Sequence, residues 1–139
     1  MDSENGNSEN RKILKHVFLY SDGSCSSNPG PGGYGTILEY NGYRKEFHQS
    51  FPCTTNNRME IMGVIVGLQN LREPCKVTVI TDSQYVVNTM TKGWKRNKNE
   101  DLWQMLDALS KMHQVDYRWV RGHNGHPQNE RCDELARLR

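Results

Sequence analysis

The dipeptide Asn41-Gly42 restricts the folding of this chain more than any other feature. Asn and Gly both tolerate positive φ, which a two-residue hairpin turn demands, and β-rich runs flank them at residues 34–40 and 43–51. Two antiparallel strands are therefore joined there. A third β-rich run, residues 16–22, lies upstream. Between it and the hairpin, residues 23–33 are rich in Gly, Pro, Ser and Asn and read as a turn. The chain thus opens as a three-stranded meander.

Beyond residue 53 the periodicity changes. Thr54 or Thr55 can cap a helix in which Met59, Met62 and Val66, then Ile61, Ile65 and Leu68, recur at helical spacing until Pro74 closes it. Residues 76–81 alternate as a strand, with Val77, Val79 and Thr81 on one face. Ser83 can cap a short helix to about Met90. Asn99 can cap another, with Glu100 and Asp101 at its positive end and Leu102, Leu106 and Leu109 inward. Residues 115–120 form a fifth strand. Pro127 suits the first turn of a last helix, with Cys132, Leu135, Ala136 and Leu138 inward. The order β-β-β-α-β-α-α-β-α predicts an α/β domain: a five-stranded mixed sheet, three antiparallel strands then two parallel, flanked by helices. A disordered tail at 1–12 and one domain at 13–139 complete the expectation.

The longest apolar run, residues 61–68, is broken by two glycines and is too short to cross a bilayer. The polar, acidic start has neither the basic nor the apolar region of a signal peptide, so a cytoplasmic protein is expected. Four scattered cysteines lack zinc spacing and read as ordinary reduced side chains. No exposed apolar stripe is evident, so a monomer is the default. The formal charge of +2 hides an asymmetry: without the three acids of residues 1–10, the remainder stands at +5. Lys92, Lys95, Arg96 and Lys98 surround Trp94, a mixture that suits a polyanion surface as well as a solvated loop.

Four acids stand out by position. Asp22 and Asp82 end predicted strands; Glu60 and Asp133 lie on predicted helices. If the two strands are neighbours, their carboxylates point into one crevice at the sheet's end, and the helical acids can reach over it. Carboxylates gathered without cations repel one another, so the gathering calls for divalent ions. Hard oxygen ligands select Mg²⁺ or Mn²⁺ over zinc. Two such ions about 3.5–4 Å apart suit in-line displacement at a phosphodiester. Taken singly, each acid has a plainer reading: Asp22-Gly23 as a turn, Asp82 as a cap, Glu60 as a first-turn acid, Asp133 as the partner of Arg137.

The combination resembles type 1 ribonucleases H, the bacterial form most closely, from about Val17 to Leu138. The motifs that carry the resemblance are Tyr20-Ser21-Asp22-Gly23-Ser24-Cys25, Asn28-Pro29-Gly30-Pro31-Gly32-Gly33-Tyr34-Gly35, Thr54-Thr55-Asn56-Asn57-Arg58-Met59-Glu60, Thr81-Asp82-Ser83-Gln84-Tyr85-Val86, Asp101-Leu102-Trp103, and the run from Trp119-Val120-Arg121-Gly122-His123 to Asp133-Glu134-Leu135-Ala136. The resemblance implies a ribonuclease H-like fold. It also implies an endonuclease that cuts the RNA strand of RNA–DNA hybrids by two-metal-ion catalysis, leaving 5′-phosphate and 3′-hydroxyl ends. Asp22, Glu60, Asp82 and Asp133 match its Mg²⁺ ligands, with Mn²⁺ able to substitute. His123 matches a loop histidine that aids product release or proton transfer, and His126 reads as incidental.

For the substrate, the resemblance implies that Asn28, Asn56 and Gln84 contact 2′-hydroxyls, with the backbone near Cys25 assisting. Amides both donate and accept, which suits a hydroxyl. Thr55, Arg58 and Asn99 match a phosphate pocket for the DNA strand, and Asn57 adjoins it. Only sixteen residues separate Gln84 from Asp101, so the basic extension of many bacterial members is absent. That makes Lys92, Trp94, Lys95, Arg96 and Lys98 the candidates for distal grip. No separate hybrid-binding domain is expected ahead of the catalytic one. Two other readings share much of this pattern: a related polynucleotidyl transferase of the same fold, and a catalytically silent hybrid-binding domain.

Overall fold

The hairpin at Asn41-Gly42 forms as expected in the computed structural model, which describes residues 13–122 and 125–139; both turn residues have positive φ, 51° and 85°. It joins β2 (Gly30–Tyr40) to β3 (Tyr43–Thr54), and β1 (Lys15–Cys25) pairs antiparallel with β2 on its other side. The remaining elements are α1 (Asn56–Gln69), β4 (Cys75–Thr81), α2 (Gln84–Lys92), α3 (Glu100–Ser110), β5 (Gln114–Trp119) and α4 (Pro127–Ala136). The sheet order is β3-β2-β1-β4-β5, with β4 parallel to β1 and β5 parallel to β4. The expected mixed sheet, antiparallel then parallel, is borne out. The expected tail at 1–12 lies outside the described residues.

One face of β1, β2 and β4 packs on α1, α2 and α3 through Val17, Leu19, Leu38, Ile61, Val64, Leu68, Val77, Val79, Val86, Leu102, Trp103 and Leu106. The other face packs on α4 through Tyr20, Ile37, Cys132 and Leu135. Burial of such side chains drives the assembly at roughly 25 cal/mol per Å² of apolar surface.

Four local expectations differ from the structure. The glycine-rich segment 23–33 is mostly strand: β1 runs to Cys25 and β2 begins at Gly30. Its glycines serve packing. A Cβ on Gly33 would lie 2.8 Å from the Ala136 carbonyl oxygen, so glycine is what lets the end of α4 lie against β2. β4 is not one-faced either, since Thr78 is as buried as its neighbours Val77 and Val79. This follows from its central place in the sheet. Asn99 precedes α3 with φ 63° and makes no side-chain cap bond, whereas Thr55 and Ser83 do cap, accepting from the Arg58 and Val86 backbone N–H groups. Finally, α4 ends at Ala136, so Leu138 falls past the helix and is 46% exposed.

Candidate active site

β1 and β4 lie side by side, and their pairing ends at Ser21 and Thr81, so Asp22 and Asp82 stand together just beyond the last shared pair. From that end the chain turns one way into β2 and the other way into α2 towards β5, the crossover point at which open sheets leave a crevice. Glu60 arrives from α1. A Cβ on Gly23 would meet the Glu60 backbone nitrogen at 2.6 Å and Met59 at 2.8 Å, so only glycine allows this approach. Each of Asp22, Glu60 and Asp82 offers a carboxylate oxygen within 4.8 Å of the others.

The electrostatics follow from this crowding. Asp22 is 5% exposed; burial first, then the charges of Asp82 and Asp133, push its carboxyl up to about 8 against an ordinary 3.8. A bond from the Gly23 backbone N–H to Asp22 Oδ1, 2.9 Å, opposes the rise only in part. Burial and then the Asp22 charge hold Glu60 well above the usual carboxylate range. Glu60 Oε1 is buried without a hydrogen-bond partner among the described residues. An all-oxygen donor set, mutually repelling and with one buried orphan oxygen, fits a divalent cation. The three residues are able to hold a metal ion.

Asp133 stands aside from this triad. Its charge reaches Asp22 and Glu60, but its carboxylate is bound by Arg137 Nε at 3.1 Å to both oxygens, the plainer reading of that residue. His123 lies outside the described residues. His126 stands before α4, with its ring tilted against Tyr20.

Beside the triad a polar cleft of about 490 Å³ is lined by Asn28, Pro29, Thr55, Asn56, Asn57, Lys98 and Asn99. It gathers five of the predicted substrate residues with one lysine of the basic loop. Asn28 Oδ1 accepts from the Asn56 N–H at 2.8 Å, tying the β1–β2 turn to the start of α1. Arg58 is held at Asn99 Oδ1 (3.2 Å) and, by a two-pronged pair, at Asp101 (3.1 and 2.8 Å). Asn99 in turn donates to the Tyr85 hydroxyl at 3.1 Å. Cys25 Sγ donates towards the Gly30 and Thr54 carbonyls, and Gln84 is exposed at the first position of α2. A second hollow, about 520 Å³ around Val17, Leu38, Tyr40 and Tyr43, gathers none of the predicted residues.

In the basic loop, Lys92, Lys95 and Lys98 are exposed and Trp94 is 47% exposed. Arg96 differs: it pairs with Asp107 and lies over the ring of buried Trp103, 5.5 Å from its centroid. Sequence reasoning overlooked this, and it overlooked Asp101 as the partner of Arg58 and Trp119 as a donor to Asp82. The motifs containing Asp101 and Trp119 were visible, but pairing across elements has no local signal.

The RNase H family model matches residues 14–139. A ribonuclease H of Aeromonas hydrophila is 54% identical over 138 residues, covering 90% of each chain. That of Desulforamulus reducens is 51% identical, covering 94% of this chain and 91% of its own. Among solved structures, LC9-RNase H1, a type 1 RNase H, superposes with a TM-score of 0.78 at 34% identity, over 90% of this chain and 72% of that one. The N-terminal RNase H domain of rv2228c from Mycobacterium tuberculosis gives 0.77 at 30% identity, over 88% and 91%.

Proposed function

Because the chain belongs to the ribonuclease H family, we propose that the carboxylate crevice is its reaction centre and the polar cleft beside it the seat of the substrate. It is a phosphodiester hydrolase that cuts the RNA strand of RNA–DNA hybrids. The observation that carries the assignment of the centre is the meeting of Asp22, Glu60 and Asp82 within 4.8 Å, with Glu60 Oε1 buried and unpartnered among the described residues.

These three acids, joined by Asp133, hold two divalent cations, Mg²⁺ with Mn²⁺ as a substitute, as hard oxygen ligands would. When bound, the ions supply an activated water and charge stabilisation for in-line displacement at phosphorus. Asp22 and Glu60, both raised without metal, would give up their protons to ligate the cations. Asp133 exchanges Arg137 for this duty, a change that its place on the second turn of α4 allows. His123 serves turnover as an accessory.

Asn28, Asn56 and Gln84 meet 2′-hydroxyls across the hybrid's minor groove, with the Cys25 backbone beside them. Asn28 acts there as a donor, because its oxygen is engaged by Asn56. Thr55, Asn57, Arg58 and Asn99 take a phosphate of the DNA strand, aided by the positive end of the α1 dipole. Lys98 borders that cleft, and Lys92, Trp94 and Lys95 continue the grip outward. Arg96, engaged by Asp107, shapes the loop. Domain 13–139 acts as a cytosolic monomer. No helix among the described residues is long and apolar enough to cross a membrane.

The test is end-labelled RNA–DNA hybrid, duplex RNA and duplex DNA incubated with Mg²⁺. Cleavage of the hybrid alone, at the RNA strand, with 5′-phosphate and 3′-hydroxyl ends is expected. A 2′,3′-cyclic phosphate would contradict the mechanism, because it would make the 2′-hydroxyl the nucleophile. Binding without cleavage would favour the silent hybrid-binding domain.

A further inference from the structure

Of the three clustered acids, Asp82 is the one outside regular structure. Asp22 is held in the ladder of β1, paired with Gly35, and Glu60 within α1. Asp82 follows the last residue of β4 and precedes Ser83, the cap of α2. Side chains that share a cation need placement within about 0.5 Å, which a bend between two elements does not provide by itself.

The neighbouring edge strand provides it. Register between β4 and β5 ends at Thr81 and Trp119. One further ladder bond runs from the Val120 N–H to the Thr81 carbonyl, 3.0 Å. The next carbonyl, that of Asp82, takes its bond from a side chain: Trp119 Nε1 donates to it at 3.0 Å. Trp119 is 41% exposed, so apolar burial alone is a weak reason for a tryptophan there; its N–H is the feature a phenylalanine would lack. On the carboxylate side, a Cβ on Gly122 would stand 2.6 Å from Asp82 Oδ2 and 3.5 Å from its Cγ. The segment from Trp119 to Gly122 therefore meets Asp82 at both its carbonyl and its carboxylate.

We propose that Trp119 and Gly122 are positioning residues for Asp82, the indole N–H fixing its backbone and the bare glycine backbone setting where its carboxylate lies. The proposal rests on the reading of the acid cluster as the reaction centre. Its test uses Trp119→Phe, which keeps a ring and removes the N–H, and Gly122→Ala, which leaves the indole bond and inserts a methyl against Oδ2. Mg²⁺ affinity of the substrate-free protein is measured by calorimetry, and kcat and KM on a hybrid in parallel. Both variants are expected to bind Mg²⁺ more weakly and to lose kcat, each by roughly 10–100-fold, as outer-shell changes at metal sites do. KM for the hybrid should stay near the parent value, and excess Mg²⁺ should recover part of the rate. Parent-like Mg²⁺ affinity and kcat in both variants would overturn the proposal. So would a raised KM with kcat unchanged, which would make Trp119 a substrate contact. Should Trp119→Phe fail to fold, Gly122→Ala decides on the same readouts. Asp82→Asn is the control: if it cleaves at the parent rate, the reading of the centre itself fails, whatever Trp119 does.

Discussion

Asp22 carries the strongest conflict at the scale of single residues. Its carboxyl is raised to about 8 from an ordinary 3.8, so between those values the folded state binds more protons than the unfolded state. The associated stability is fully present below about pH 4 and is lost as pH rises through about 8. Without metal, the protein is therefore expected to lose thermal stability from pH 5 to 8. His113, whose ring burial lowers, pulls the other way below its ordinary 6.5, so the comparison of parent with Asp22→Asn isolates the carboxylate. Asn keeps the shape and removes the charge. Asp22→Asn should raise the metal-free Tm at pH 8, by roughly 2–8 °C for each kcal/mol relieved, and flatten the fall with pH. Scanning calorimetry of both proteins in a chelator checks this, and an unchanged pH slope would count against the crowding. Asp22→Asn and Asp82→Asn should also each abolish Mg²⁺-dependent cleavage of a hybrid while circular dichroism stays that of the parent. Cleavage near the parent rate in either would sink the proposed metal site.

Among the elements, the contact that builds the crevice is that of α1 with β1. Gly23 leaves no space for a Cβ between the strand and the Met59–Glu60 backbone. Gly23→Ala should separate them, with a loss of about 1–3 kcal/mol, the usual range for overpacking, and a fall in kcat because Glu60 is carried away from Asp22. Denaturant melts with steady-state kinetics measure both, and a stable, fully active variant would show that α1 has room to move. The basic loop divides in a similar way. Arg96 is tied to α3 by Asp107 and Trp103, so Arg96→Ala should cost stability, about 1 kcal/mol or less for a half-exposed pair with a cation–π contact. Exposed Lys92, Lys95 and Lys98 should be replaceable by Ala with little change in Tm.

On the scale of the whole molecule, those three lysines lie outside the acid cluster, and Lys98 lines the polar cleft. Contacts to phosphates hold substrate and transition state about equally, so the triple Ala variant should raise KM more than it lowers kcat. Each lost phosphate contact should flatten the log–log salt dependence of hybrid binding by up to roughly 0.9. A salt titration in Ca²⁺, which suppresses cleavage, compares the slopes. Equal slopes would show that the lysines are a solvated surface and do not meet the substrate.

The sequence by itself determined the local pieces. Asn41-Gly42 dictated a hairpin, helical spacing from Met59 to Leu68 dictated α1, and Thr55 and Ser83 marked helix starts, because each depends on neighbours a few residues away. It also read Asp22 and Asp82 as strand ends; β1 in fact runs on to Cys25, but its pairing with β4 stops at Ser21 and Thr81, so the two acids still meet where those neighbours part. Tertiary structure decided what depends on contacts across elements. The glycines of residues 30–33 read as a turn because glycine permits turns, yet they lie in a strand, where Gly33 admits the end of α4. Asn99 read as a cap because Asn commonly caps, yet its side chain serves Arg58 and Tyr85. Asp133, read together with the other acids, faces Arg137 one helical turn on. The hold of Trp119 on Asp82 joins residues thirty-seven apart and follows only from the parallel pairing of β4 with β5. Short-range geometry is written in the order of residues, whereas the partner of a buried or bridging polar group is set by which elements the hydrophobic core brings side by side.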